Sequence, residues 1–319
     1  PRSTVTWKQT GIRHDTKNNR IRLSKGANHK EHPKAWEYIL VEYETRPGVT
    51  VENLQQVRAV YDNAKERWEL HLVCKDEIET PDAPGTETAG IDLGISNFAA
   101  VAYSTEEADL YPGNRLKQDG YYFPKEIAKC DDSGGDRARR LHSKWSERRT
   151  HFFHSLAKHI VQRCIERGVG RLNIGDLEGV RDDENGESKN WGKHGNLDLH
   201  GWAFDRFTSI LEYKAKVEGI EVVDVDERDT SKTCCACGRE DESQRVERGL
   251  YVCETCDAAF NADVNGAENI RLDINRSNSE SPPNLGGDRS TGWLAQPGVY
   301  LHDLSSGFQP QAQVVDCKP

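Results

Sequence analysis

Four cysteines and one aspartate carry the chain's most specific chemical signal. Cys234 and Cys237 form one Cys-x-x-Cys pair, and Cys253 and Cys256 form a second after fifteen intervening residues. Each pair can close a tight turn that aims two thiolates at one tetrahedral ion, while the residues between fold back as a hairpin. This is the spacing of a four-thiolate zinc ribbon holding one structural zinc, with Cys235 a bystander between two ligands. Seven residues after Cys256 stands Asp263, where a ribbon can aim a carboxylate into a second site. Asp92 lies inside the apolar run Ala89-Gly-Ile-Asp92-Leu-Gly94; a carboxylate flanked by Ile91 and Leu93 is costly to bury unless it binds something. A third acidic point, Asp176 and Glu178, ends the run Gly170-Arg-Leu-Asn-Ile-Gly-Asp176. Three dispersed carboxylates suit a two-metal site, in which Mg²⁺ or Mn²⁺, selected by hard oxygen ligands, orients a water and stabilises the leaving oxygen of a phosphodiester.

The elements that must position these groups read as a mixed α/β chain. Residues 1–75 are β-rich: Thr4-Val-Thr-Trp7 opens a strand, Asn18-Asn19 marks a turn, and Val57–Tyr61 and Trp68–Val73 predict a hairpin about Asp62-Asn63. In the second of these strands Trp68, Leu70 and Leu72 alternate with polar residues, which predicts a half-buried face. An acidic, proline-bearing linker follows at 76–88, then a second domain over 89–274 interrupted by the ribbon at 230–260. Within it, 137–163 is helical, with Leu141, Trp145, Phe152, Leu156 and Ile160 in one stripe. A second helical stripe runs through Leu199, Ala203, Phe207, Ile210 and Leu211. Residues 181–197 read as a polar loop. From 275 to 319 Ser, Pro and Gly dominate, and the expectation is a disordered tail.

Charge separates the partner classes. The net charge is −10, from 53 acidic against 43 basic residues; this argues for an acidic surface of halophile type, or for an enzyme of small molecules. The segment 137–163 is the exception, with eight Lys or Arg against one acid. Arg137, Arg139, Arg140, Lys144, Arg148 and Arg149 are therefore candidates to meet a nucleic-acid backbone. No apolar run approaches a membrane span. Scattered remaining cysteines point to a reducing cytoplasm.

Taken together, Gly90-Ile-Asp92-Leu-Gly94, the flanked knuckles Asp229-Thr-Ser-Lys-Thr-Cys234-Cys-Ala-Cys237-Gly and Tyr251-Val-Cys253-Glu-Thr-Cys256, and Asn261-Ala-Asp263-Val-Asn-Gly-Ala-Glu-Asn-Ile270 resemble the TnpB (OrfB) family. These are insertion-sequence-encoded RNA-guided DNA nucleases related to type V CRISPR effectors; the acidic composition suggests a haloarchaeal member. The resemblance implies a RuvC-like, RNase H-type nuclease domain with the zinc ribbon inserted between its last strand and helix, preceded by a β-rich wedge or barrel domain. It implies catalytic Asp92 and Asp263 with two Mg²⁺ or Mn²⁺ ions, a guide RNA from the chain's own element and a target DNA, with no membrane and no small-molecule substrate. Base pairing would read the target sequence.

Two departures from the family pattern stand out. Its second nuclease motif reads Ile-Glu-Asp-Leu, whereas this chain has Ile174-Gly175-Asp176-Leu177. Asp176 or Glu178 is the expected substitute, yet neighbours on a strand face opposite ways, so a shift from 175 to 176 demands a bulge or a strand end. A nuclease-silent, RNA-guided DNA-binding protein is the alternative. Family members also carry more sequence ahead of the segment that begins here at Pro1, so the wedge domain is expected to be incomplete. The Gly-Ile-Asp-Leu-Gly run also occurs in actin-like ATPases, but those need further Gly-rich phosphate turns that form no convincing pair here.

Overall fold

The computed structural model describes residues 4–25, 38–77, 79–176, 204–247, 249–273 and 292–311. Leu177, Glu178, the polar loop 181–197, and Leu199 and Ala203 of the second helical stripe lie outside the described residues. The chain divides into two compact units, one of residues 1–79 with 127–143, the other of residues 80–126 with 144–319. Residues 127–143, expected in the second domain, thus group with the first.

The first unit holds two antiparallel three-stranded sheets. In one, β1 (Thr4–Lys8) and β6 (Arg67–Cys74) flank β5 (Leu54–Asp62); in the other, β3 (Arg20–Ser24) lies between β2 (Ile12–Asp15) and β4 (Tyr38–Glu42). Both expected turns are present. The β5–β6 hairpin pairs Tyr61 with Trp68, and Asn19 takes the left-handed conformation, φ 51°, that Asn tolerates in a turn. The expected burial of Trp68 and Leu70 is not found: they are 57% and 40% exposed. The unit's core centres on Ile21, Leu23 and Val57, and of the alternating face only Leu72, opposite Val57, reaches it. The hairpin runs on past its own core.

The second unit is built on a seven-stranded sheet in the order β11-β10-β7-β8-β9-β14-β15. Strands β7 (Glu87–Leu93), β8 (Asn97–Tyr103) and β9 (Glu107–Pro112) form an antiparallel meander, while β10 (Val169–Asp176) pairs parallel to β7 and β11 (Glu221–Asp226) parallel to β10. Both faces are covered, which is why Phe98–Tyr103 reads as a continuous apolar run rather than an alternating one. On one face Phe98, Val101 and Tyr103 pack with Phe152, Phe153, Leu156 and Ile160 of α2 (Asp136–Glu166) and with Phe207 and Leu211 of α3 (Phe204–Val217). A shorter helix, α1 (Asn114–Ile127), precedes α2. On the other face the small side chains of Ala100 and Ala102 let Val264 and Ala267 of α4 (Ala262–Leu272) approach closely. Contact is tightest at Gly90, where a Cβ would lie 2.2 Å from the Ala267 carbonyl oxygen and 2.4 Å from the Arg271 amide nitrogen.

The ribbon hairpin, β12 (Leu250–Cys253) paired with β13 (Ala258–Asn261), stands between β11 and α4 as the motif order requires. The expected disorder of 275–319 does not hold over 292–311. There β14 (Gly298–Asp303) joins β9 in parallel and β15 (Gly307–Pro310) pairs with β14. Composition misled because the segment is held by tertiary packing: Tyr300 stacks on Tyr111 at 5.6 Å, Phe308 is buried in the core, and Leu294 and Trp293 pack on the α4 side.

Candidate functional site

The four ribbon thiols converge. Among the described residues, Cys234, Cys237, Cys253 and Cys256 are the cluster whose ligand atoms all lie within 4.8 Å of one another. Sγ of Cys234 is 3.8 Å from that of Cys256, and Sγ of Cys237 is 3.6 Å from that of Cys253. Four sulfurs tetrahedral about zinc at about 2.3 Å stand about 3.8 Å apart, so the thiol set fits one structural zinc.

Helix α4 ties this ribbon to the sheet, and nearly every residue of its motif has a separate task. Asn261 caps the helix, its Oδ1 accepting from the amides of Asp263 and Val264 at 3.1 and 3.2 Å. One turn on, buried Asn265 accepts from the Cys235 amide at 3.0 Å and donates to the Thr233 carbonyl at 2.8 Å. Asn269, four residues further and also buried, donates to the carbonyls of Thr230 and Thr233, each at 2.7 Å. These two side chains lie on one helical face and fasten the first knuckle. Cys235 lies outside the four-thiol cluster, and its amide donates to Asn265. Glu268 and Arg271 form a buried ion pair at 2.6 Å.

The helix's remaining faces meet the carboxylates. Asp263, in the first turn of α4, accepts from Asn97 Nδ2 at 2.8 Å and pairs with Arg245 of the ribbon at 3.3 Å. Asp92 on β7 points at the same helix, where a Cβ on Gly266 would sit 2.8 Å from its Oδ2. Burial, and then the charge of Asp263, pushes the Asp92 carboxyl up to about 7. The structure thus brings together Asp92 and Asp263, which are 171 positions apart in sequence.

Asp176 is placed differently. Two residues before Gly175, Asn173 donates to the carbonyls of Ile270 and Arg271 in α4, at 3.2 and 2.9 Å. Gly175 shares that face, whereas Ile174 belongs to the opposite core, and Asp176 has the parity of Ile174. The pairing of Arg171 through Asp176 with β11 is regular, so no bulge re-aims Asp176; only its place at the strand end remains. The space over Gly175 is taken by a residue that sequence reasoning missed. A Cβ there would lie 2.7 Å from Oε2 of Glu227, just beyond the end of β11. Burial first, then the charges of Asp92, Asp176 and Asp226, pushes the Glu227 carboxyl up to about 8. The signal that could have found it is the parallel pairing of β10 with β11, which no local pattern displays.

These shifts set a pH dependence. The folded chain keeps a proton on Asp92 up to about pH 7, against a usual carboxyl value of 3.8. Between those values the folded state binds more protons than the unfolded one, so stability without added divalent ions falls as pH rises through the window. Asp92→Asn cannot ionise. It is expected to raise the melting temperature at pH 8 by a few degrees (about 2–4 °C per kcal/mol) and to give no such gain at pH 4. Thermal scans of zinc-loaded protein at the two pH values check this; equal gains would place Asp92 outside any repulsive pocket.

Along α2 the six basic candidates differ. Arg137, Arg139, Arg140 and Lys144 are exposed, although Arg139 pairs with Asp136 and Arg140 with Glu66 at 3.1 Å. Arg148 is turned inward, 2.7 Å from Asp119, and Arg149 lies over the Trp145 ring at 5.9 Å. Arg148 therefore serves the fold before it serves a ligand.

The sequence matches the OrfB_IS605 family (probable transposase) over residues 71–181 and the Cas12f1-like TNB domain over residues 204–270. It is 27% identical over 249 residues to the TnpB-like protein ORF457 of Acidianus two-tailed virus, covering 67% of this chain and 52% of that protein. It is 26% identical over 229 residues to the CRISPR-associated endodeoxyribonuclease Cas12f1 of Sulfoacidibacillus thermotolerans, with the same two coverages of 67% and 52%. To the TnpB-like protein MJ0751 of Methanocaldococcus jannaschii it is 27% identical over 172 residues, 52% of this chain and 59% of the relative. The chain thus spans about half the length of the curated relatives it matches. Among solved structures, a cryo-EM structure of the Cas12f1-sgRNA-target DNA complex aligns with a TM-score of 0.47 and 19% identity, over 82% of this chain and 69% of that one. Among the described residues, no helix is long and apolar enough to cross a membrane.

Proposed function

Because the chain belongs to the TnpB family, relatives of the type V CRISPR effectors, we propose that it is an RNA-guided DNA endonuclease whose nuclease domain is RuvC-like. The sheet order β11-β10-β7-β8-β9, three antiparallel strands followed by two parallel ones, supports the RNase H-type assignment. The observation that carries the functional reading is the meeting of Asp92 and Asp263 across the β7–α4 contact.

The donor set suits hard divalent cations: carboxylate oxygens, crowded so that Asp92 resists ionisation until something positive arrives. Asp92 and Asp263 would hold Mg²⁺ or Mn²⁺, which supplies, when bound, activation of a water and charge neutralisation at a phosphodiester. The chain's own residues do the positioning. Asn97 fixes one oxygen of Asp263, and Arg245 balances part of the charge at the other. The Asn261 cap holds Asp263 in the first helical turn, and Gly266 leaves room for Asp92. The exposed cations of α2 are assigned to the backbone of a guide–target duplex, and the sheets of residues 1–75 to the wedge domain. A haloarchaeal cytoplasm suits the net charge of −10.

The test is cleavage of matched DNA by protein co-expressed with RNA from its own locus, with Mg²⁺ at high salt, beside Asp263→Ala. Cutting that is lost in the variant by about 10³-fold or more establishes the nuclease. Guided binding that leaves DNA intact assigns the nuclease-silent alternative.

A further inference from the structure

We propose that Glu227 supplies the third metal-binding carboxylate of the site, reaching across from β11 into the space that Gly175 leaves vacant on β10. The inference rests on the nuclease reading of Asp92 and Asp263, and it identifies a ligand that no motif of the sequence assigns.

Three independent features place Glu227 there. The first is volume. A Cβ on Gly175 would meet Glu227 Oε2 at 2.7 Å, Ile270 Cδ1 at 2.9 Å and Glu227 Cβ at 3.3 Å. The Glu227 side chain therefore lies along the α4-facing surface of β10, where a side chain at 175 would otherwise project. Glycine at 175 leaves open the space that the glutamate at 227 occupies.

The second is partnership. Among the described residues no hydrogen bond or ion pair engages the Glu227 carboxylate, though it is half-buried and Asp92 is one of the three acids around it. A sequestered carboxylate without a cation or donor is costly, and a divalent ion removes that cost.

The third is anchoring. Asp226 Oδ1 accepts from the Arg228 amide at 2.9 Å, closing the turn about Glu227. The Glu227 carbonyl accepts from the Thr230 hydroxyl at 2.8 Å, and the Thr230 carbonyl accepts from Asn269 of α4 at 2.7 Å. The helix that carries Asp263 thus also fixes the turn that carries Glu227, so both carboxylates keep one frame of reference. Asp176 closes β10 with the parity of Ile174 and does not share the space over Gly175 that Glu227 fills.

The experiment titrates Mn²⁺ into the zinc-loaded chain bound to its guide RNA, for wild type, Glu227→Gln, Asp176→Asn and the double variant Gly175→Glu/Glu227→Gly. Zinc content, RNA binding and target binding are followed in parallel as controls of folding. Glu227→Gln is expected to weaken Mn²⁺ binding by about tenfold or more and cleavage by about 100-fold or more, with the controls unchanged. Asp176→Asn is expected to leave Mn²⁺ affinity within about twofold. The double variant returns the carboxylate to β10 and is expected to recover Mn²⁺ binding. Unchanged Mn²⁺ affinity in Glu227→Gln, or no Mn²⁺ binding by wild type, overturns the assignment. Glu227-dependent Mn²⁺ binding in a wild-type protein that cuts no DNA would instead sink the nuclease reading and leave the ligand assignment standing.

Discussion

Gly90→Ala is expected to destabilise the second unit by about 3 kcal/mol or more, at the upper end of what overpacking costs. The added methyl carbon would lie 2.2 Å from the Ala267 oxygen, 2.4 Å from the Arg271 nitrogen and 2.7 Å from Arg271 Cβ. The two nearest atoms are backbone, and backbone in a helix cannot rotate out of the way as a side-chain tip can. Either α4 lifts from β7 or β7 bends, and both movements separate Asp92 from Asp263. A fall in melting temperature of about 6 °C or more follows from that free energy, together with loss of cleavage out of proportion to the folded fraction. Gly120→Ala is the control, because nothing lies within 4 Å of its Cβ position and it sits inside α1. That substitution is expected to leave stability unchanged or raise it slightly. A wild-type melting temperature for Gly90→Ala would mean that α4 does not rest on β7 at all.

Cys253→Ala is expected to abolish zinc binding, because a three-thiolate remnant cannot close the tetrahedron. In small ribbons metal-binding free energy is folding free energy, on the order of 10 kcal/mol. The hairpin β12–β13 contributes four paired positions and has little core apart from Tyr251, Phe260 and its own cysteines, so it cannot stand without the ion. Metal analysis of purified protein reads the first effect, and limited proteolysis within 230–260 reads the second. Cys235→Ala is expected to keep one zinc per chain, since only the Cys235 amide is used by Asn265. Retained zinc in Cys253→Ala would refute the four-ligand assignment. The damage is expected to travel further: Asn265 and Asn269 would lose the knuckle carbonyls that they now satisfy inside the protein, and buried unsatisfied amides cost about 1–3 kcal/mol each.

Much of this architecture was legible in the chain because its signals are local. The Asn18-Asn19 turn, the hairpin about Asp62-Asn63, the long amphipathic helix and the two cysteine knuckles each declare themselves within a few residues. Asp92 was legible because a carboxylate in an apolar strand contradicts its surroundings. What stayed hidden depends on pairing between distant segments. Glu227 lies 52 positions beyond Gly175, and only the parallel register of β10 with β11 brings the two together. The β14–β15 segment looked disordered because Gly, Ser and Pro dominate the composition around it, whereas its order comes from Tyr300, Phe308 and a pairing with β9. Trp68 and Leu70 erred in the other direction. Alternation says which side chains share a face; it does not say that anything covers that face.

The place of β14 also bears on how this protein tolerates being shortened. Gly298 and Val299 pair with Asp109 and Leu110 of β9, closing what would otherwise be the open margin of the sheet. A minimal version ending at α4 would keep the four ribbon cysteines, Asp92, Glu227 and Asp263. It would also uncover the unpaired amides and carbonyls of β9, with Tyr111 and Phe152 stripped of their aromatic cover. An exposed, apolar edge of that kind templates strand addition from a second molecule. Such a truncation would first show itself as self-association and poor yield rather than as a catalytic defect, so solubility is the property that these two short strands protect.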